Sequence, residues 1–233
     1  MIRLSKRLQT VVSMVTHGNS VADVGCDHAH TGIFLIQSGV STKVLAMDLR
    51  RGPLEKAEEN VKEAGLADKI ELRLSDGLQR LGEGETDTIL ISGMGGPLIL
   101  SILEKELKKA KAAKELILSP QSDLEGFEEG LKNLGFVAQA VRIEEDEGKF
   151  YFIYRAVQAK EGCPSGISAD DHQKTVDVLP HDIYLKYLEK EKASKETVLK
   201  KIKADSGEKA AARRDELYND IRRIEDEINR MRS

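Results

Sequence analysis

Short apolar runs recur along the first two thirds of this chain, with helix-period segments between most of them. That alternation limits the possible folds more than any other feature. The runs fall at residues 21–25, 44–48, 70–74, 88–92, 115–119, 137–143 and 150–156, and segments 31–38, 53–64, 97–113 and 124–134 carry apolar residues at helical spacing. Strands alternating with helices need crossover connections, which are right-handed and leave neighbouring strands parallel. The last pair breaks the rule. Only residues 144–149 join the final two strands, too few for a crossover helix, so these strands must pair as an antiparallel hairpin at the sheet edge. The expected core is α/β: a mainly parallel seven-stranded sheet ending in an antiparallel hairpin.

Beyond residue 160 the composition changes. The string Glu161-Gly-Cys-Pro-Ser-Gly-Ile-Ser168 reads as a linker, which divides the chain into domains 1–160 and 161–233. Residues 182–204 and 208–232 read as two charged helices separated by Asp205-Ser-Gly207. Leu217, Ile221, Ile224, Ile228 and Met231 step by four, three, four and three, a short coiled-coil seam. Tyr184, Leu188, Val198 and Ile202 are the expected facing residues, and a helical hairpin is the simplest arrangement. Charged residues make up 33% of the chain, above the roughly 25% of typical globular proteins, as a solvated helical surface requires. Ten Lys or Arg against five Asp or Glu between residues 183 and 214 give that stretch +5, so the rest carries -9 within a total of -4. Such a hairpin suits either a phosphate backbone or a lattice of helical ion pairs. No apolar run approaches the ~20 residues of a membrane span. Met1-Ile-Arg-Leu-Ser-Lys-Arg7 has no apolar core and no cleavage site for secretion, and Cys26 and Cys163 are the only cysteines. A cytoplasmic protein without disulfides is expected.

Four places carry chemistry. Strand 21–25 ends in Asp23-Val-Gly-Cys-Asp27 and opens a helix near Ala29. A dinucleotide site would need Gly-x-Gly-x-x-Gly here, so that backbone amides meet the pyrophosphate. Only Gly25 falls on that pattern, and Asp27 puts an anion where the pyrophosphate would lie. Carboxylates at 23 and 27 suit a cationic ligand instead; otherwise they would merely cap the helix. Asp48, twenty-three positions after Gly25 at the end of the second strand, can accept two ribose hydroxyls. Ser75-Asp-Gly77 offers Asp76 as an acceptor for an adenine amino group, or is an ordinary turn. Ile91-Ser-Gly-Met-Gly-Gly-Pro97 puts three glycines in four positions at a strand end beside the switch point of an open sheet, where ligands bind and close backbone approach is needed. Met94 there can pack on a base. His28 and His30 lack a third ligand at useful spacing, so no metal site is expected.

Taken with these motifs, Leu4-Ser-Lys-Arg-Leu8 and Ile143-Glu-Glu-Asp-Glu-Gly-Lys-Phe-Tyr151 make residues 4–156 resemble the bacterial tRNA (adenine-22-N1)-methyltransferases. The resemblance implies a Rossmann-like class I methyltransferase fold with a C-terminal helical, coiled-coil-like domain. It also implies S-adenosyl-L-methionine as cofactor, tRNA as partner, no membrane and no metal; a monomer is expected. The implied cofactor residues are Asp23, Gly25, Cys26, Asp48, Leu49, Asp76, Gly77, Gly93 and Met94. Arg7, His28 and Gly95 would contact the target, and Asp27 would be catalytic. Members of the family usually carry Ser in place of Cys26, Tyr-Leu-Pro in place of His30-Thr-Gly32, and Gln-Pro-Asn after the fifth strand, where this chain has Ser119-Pro-Gln-Ser-Asp123. The second-strand acid is often Glu rather than Asp48. The differences at 30–32 and 119–123 are expected to touch the target-base pocket. Two other readings stay open on sequence alone: a methyltransferase for a small molecule or protein, and a non-catalytic nucleotide- or RNA-binding module.

Overall fold

The computed structural model describes residues 2–159, 180–202 and 208–232. Two compact units emerge, 1–178 and 179–233. The expected linker at 161–168, the domain boundary at 160/161 and the expected break at 205–207 lie outside the described residues.

The first unit is built on seven strands: β1 (Val21–Val24), β2 (Val44–Asp48), β3 (Ile70–Leu74), β4 (Thr88–Met94), β5 (Glu115–Pro120), β6 (Phe136–Asp146) and β7 (Lys149–Gln158). The sheet order is β3-β2-β1-β4-β5-β7-β6. Strands β1 to β5 pair in parallel, and β7 runs antiparallel to both β5 and β6. This is the Rossmann-like class I methyltransferase sheet. Every residue of β1 and β2 is buried, as expected of central strands covered on both faces; Asp23 and Asp48 are the two charged residues among them. The order reverses between β1 and β4, and the carboxyl ends of these strands flank a crevice.

Around the sheet lie α1 (Lys6–Ser13), α2 (His30–Gln37), α3 (Arg51–Glu63), α4 (Gly96–Lys105), α5 (Leu107–Ala112) and α6 (Leu124–Asn133). Ser5 caps α1, its side chain accepting from the Leu8 N–H. The core is aliphatic, as an aromatic content of 4% dictates; within it Phe127 and Tyr154 meet ring to ring, centroids 5.4 Å apart.

Several element limits differ from the periodic reading. The single helix expected over 97–113 is two, because Glu106 leaves helical geometry at φ -126°, ψ 42°. Lys109 then reaches the carbonyls of Leu78 and Gln79 and pairs with Glu106, tying α5 to the loop after β3. The expected turn at 144–149 shrinks to Glu147 and Gly148, both at positive φ, which is the two-residue turn whose twist matches a hairpin. Helix α3 begins at Arg51 rather than at Pro53, since a proline in the first turn removes no helical hydrogen bond. Strand β4 continues past Ser92 to Met94 through a register shift against β5.

The second unit is a hairpin of α7 (His181–Lys201) and α8 (Glu208–Arg232). His181 meets the Met231 carbonyl, Tyr184 donates to Glu227 and Lys195 to Asp220, so the helices run antiparallel. Leu188, Leu217, Ile221 and Ile228 are buried in the seam. Val198, expected there, is 42% exposed, and Leu199 takes the inner position instead. The step from Leu188 by helical periods passes through Lys192 and Lys195 to 199, leaving 198 on the outer side. Lys192 and Lys195 bond across to Glu225 and Asp220. Part of the positive charge counted along 183–214 is therefore matched by the facing helix. Among the described residues no helix is long and apolar enough to cross a membrane.

Candidate functional site

Strand β1 delivers Asp23 to the crevice. This residue is only 3% exposed, and its Oδ2 has no hydrogen-bond partner. Burial first, and the nearby Asp48 carboxylate second, push its pKa up to about 7 from 3.8. An orphaned buried carboxylate is costly unless a ligand answers it. Asp48, at the end of β2, is likewise buried. Its Oδ1 accepts from the Arg50 N–H at 2.9 Å and Oδ2 from the Asp27 N–H at 3.3 Å. The Arg50 side chain, 3.9 Å away, is largely exposed, so the two acids face the crevice with little positive charge beside them. Further lone pairs on Asp48 remain for ribose hydroxyls. A cationic ligand carrying a ribose fits this pair; a pyrophosphate does not.

The loop from β1 to α2 is held in an uncommon conformation. Gly25 has φ +75°, and Asp27 and Ala29, which are not glycines, have φ +50° and +59°. The Gly25 and Cys26 N–H groups both donate to the Met47 carbonyl, and Ala29 donates to Cys26. The N-terminus of α2 has no side-chain cap. The helix-cap explanation for Asp23 and Asp27 therefore does not apply. Left-handed geometry at two non-glycine residues stores strain that surrounding contacts must hold. It turns the Asp27 carboxylate outward, with 67% of its side chain exposed and Oδ1 3.8 Å from His28 Nε2. His28 Nδ1 is buried without a partner, and its carbonyl accepts from Asn60.

Cys26 is packed in the core, with a thiol pushed well above its ordinary range by burial and by Asp23, Asp48 and Asp27. It is no nucleophile, since only a thiolate would react. Leu49 is 63% exposed and Leu74 43% exposed. They lie at the ends of β2 and β3, where the Ser75 N–H donates to the Asp48 carbonyl. Leu74 pairs with Asp48 in the register of β2 and β3, and the exposed Asp76 and half-buried Gly77 follow it in the chain.

Close contacts within the protein bear on Gly25 and on the glycine-rich loop at 93–96. A Cβ on Gly25 would collide with Met94 Cε. The glycine therefore makes room for a side chain of β4 as well as for any ligand. Gly93, at φ +84°, lies beside both Arg7 Nη1 and Gln121 Nε2, each 3.8 Å from where its Cβ would be. Gly95 and Gly96 abut Ser122, and the Gly96 N–H donates to the Ser122 carbonyl. Residues 121 and 122 thus border the loop. Residues 31 and 32 do not: Thr31 and Gly32 are buried in α2, Gly32 against Val44 of β2, so that difference serves helix-on-sheet packing.

Arg7, on the first turn of α1, comes to the same edge. Its Nη1 donates to Ser92 Oγ at 3.1 Å, its guanidinium lies 5.0 Å from the Tyr151 ring centre, and its N–H donates to Asp146. Ser92, Gln121, Ser122 and Tyr151 stand out in the sequence only as parts of the strings 91–97, 119–123 and 143–151, none of them as a site residue in its own right. Among the described residues no group of three His, Cys, Asp or Glu is placed to hold a metal ion.

The chain is similar to known methyltransferases. A methyltransferase domain family matches residues 4–154. The tRNA (adenine(22)-N(1))-methyltransferase of Bacillus subtilis (strain 168) is 34% identical over 168 residues, covering 72% of this chain and 71% of that one. The crystal structure of the B. subtilis m1A22 tRNA methyltransferase has a TM-score of 0.82 at 28% identity, covering 98% of this chain and 100% of that one. Streptococcus pneumoniae Sp1610, solved in complex with S-adenosyl-L-methionine, also has a TM-score of 0.82, at 31% identity and with 97% and 100% covered.

Proposed function

Because the chain belongs to the bacterial tRNA (adenine-22-N1)-methyltransferase family, we propose that it transfers a methyl group from S-adenosyl-L-methionine to N1 of an adenosine, position 22 in the D-arm region, of tRNA. The observation that carries this reading is the pair of buried carboxylates, Asp23 with an orphaned oxygen and Asp48 beside it, at the sheet's switch point. When bound, S-adenosylmethionine supplies an electrophilic methyl group on a sulfonium cation. Asp23 would meet its positive charge, Asp48 would take the ribose hydroxyls, Leu49 would flank the adenine, and Asp76 with Gly77 would accept from its amino group. Gly25, Cys26, Gly93 and Met94 shape the cleft.

Adenine N1 has an in-plane lone pair, so the residues must align it rather than deprotonate it. As the N1–carbon bond forms, the sulfur–methyl bond breaks, neutral S-adenosylhomocysteine is left, and the positive charge passes to the base. Asp27, outward-facing and held by its strained loop, offsets that charge and is the catalytic residue in this reading. His28 and Gly95 border the target base, and Arg7 holds the RNA. N1 lies on the pairing edge, so a paired adenosine must leave its stack first. A cytoplasmic monomer acting on tRNA without a metal follows from the same reading. The exposed lysines at the end of α7, Lys200 and Lys201, offer positive charge to the RNA backbone.

The deciding experiment incubates unmodified tRNA with the protein and methyl-labelled cofactor, then analyses nucleosides by mass spectrometry. Labelled 1-methyladenosine is the expected product; label in another nucleoside, or none, refutes the assignment. Asp27→Ala should keep cofactor binding and lose about 100-fold or more in turnover, whereas unchanged turnover removes Asp27 from the catalytic role.

A further inference from the structure

Resting on the tRNA reading, we infer that Tyr151 and Ser92 are positioning residues that aim the Arg7 guanidinium at a phosphate of the target nucleotide, over the Gly93 floor. Three separate elements build the arrangement. Arg7 comes from α1, Ser92 from β4 just before the register shift, and Tyr151 from β7 of the edge hairpin. Tyr151 covers one face of the guanidinium, and Ser92 takes one N–H at 3.1 Å.

No carboxylate lies within ion-pair distance of that guanidinium among the described residues, although Arg7 is only partly exposed. A stacked arginine with most of its planar donors unspent matches a phosphate in both geometry and charge. The hairpin is anchored to α1 by three further bonds. Thr10 donates to Glu144, Arg142 donates to Ser13, and Asp146 accepts from the Arg7 N–H. These bonds fix the edge hairpin that carries Tyr151 against the helix that carries Arg7. The guanidinium is therefore ordered before RNA arrives, and less rotamer freedom is lost on binding. Gln121 Nε2 flanks the same glycine, which brings a second N–H donor to the same floor.

Steady-state kinetics with tRNA, the salt dependence of tRNA binding and calorimetry with S-adenosylmethionine test this assignment. Tyr151→Leu should raise KM for tRNA about five- to tenfold, with kcat nearly constant and the cofactor Kd unaltered. Tyr151→Phe, which keeps the ring, should restore the wild-type KM. Arg7→Ala should lower the salt slope of tRNA binding by about one. In its background neither Tyr151→Leu nor Ser92→Ala should have any further effect, since both act through the guanidinium. Additive losses in the double variants, an unchanged KM in Tyr151→Leu, or failure of Tyr151→Phe to restore it would each overturn the inference. Should Tyr151→Leu not fold, the Ser92→Ala and Arg7→Ala pair decides the question by its additivity. If the wild type transfers no methyl group to tRNA, the function falls and the inference with it; if it does and Tyr151→Leu behaves as wild type, the inference falls alone.

Discussion

Replacing Asp23 by Asn should make the ligand-free protein more stable, and increasingly so as the pH rises. Asp23 is buried, and its carboxyl is raised from 3.8 to about 7 by burial and then by Asp48. Between those values the folded chain keeps a proton that the unfolded chain releases. Stability therefore falls as pH rises through that window and levels off above it. At about 1.4 kcal/mol per unit, the ionised group costs the fold about 4 kcal/mol above pH 7. At pH 5 the cost is only about 1.7 kcal/mol. Asp23→Asn removes the titration, so its advantage over the wild type should grow by about 2.5 kcal/mol between pH 5 and pH 8. In a chain of this size that corresponds to roughly 5–10 °C in the melting temperature. Scanning calorimetry of both proteins at the two pH values measures it. A stability difference that does not change with pH would show that Asp23 does not titrate in this range, and its burial would then not be what governs its charge.

The same carboxyl makes cofactor binding pH-dependent. A cation beside Asp23 favours the ionised form, so calorimetric Kd values for S-adenosylmethionine should tighten from pH 5.5 to 7, by at most about tenfold per unit, and flatten above; a flat profile throughout would detach Asp23 from the cation. Gly25→Ala puts a Cβ at φ +75° and against Met94 Cε. It should cost about 1–2 kcal/mol from backbone strain, with only the steric part recovered by adding Met94→Ala, as thermal melts of the single and double variants would show. In the helical unit, Leu188→Ala should cost about 2–4 kcal/mol and Val198→Ala less than about 0.5 kcal/mol. Equal losses in circular-dichroism melts would place Val198 back in the seam.

Much of the α/β framework was legible because each strand declares itself locally. Strands β2 and β3 coincide with their expected runs to the residue; in β2 four consecutive apolar residues, as a strand buried on both faces requires, lead up to Asp48 at its end. The short 144–149 connection forced an antiparallel hairpin by chain length alone. Its true turn, Glu147-Gly148, was hidden because strands β6 and β7 run on through charged residues that pair across the edge. The split at Glu106 was invisible for a similar reason. Helical periodicity continues through it, and the break depends on where Lys109 reaches in the folded protein. Val198 and Leu199 are both apolar, and only the crossing of two real helices decides which one is inside.

The chain's own residue order thus determined the strand ends that carry Asp23 and Asp48, since each acid directly follows or interrupts an apolar run. It also determined the glycines that let the backbone turn there. Tertiary structure alone decided what surrounds them. Arg7 and Ser92 are 85 residues apart, Tyr151 is more distant still, and Met94 reaches back over Gly25. No local pattern encodes such meetings, because they arise where strand order reverses and where an edge hairpin folds back upon the first helix.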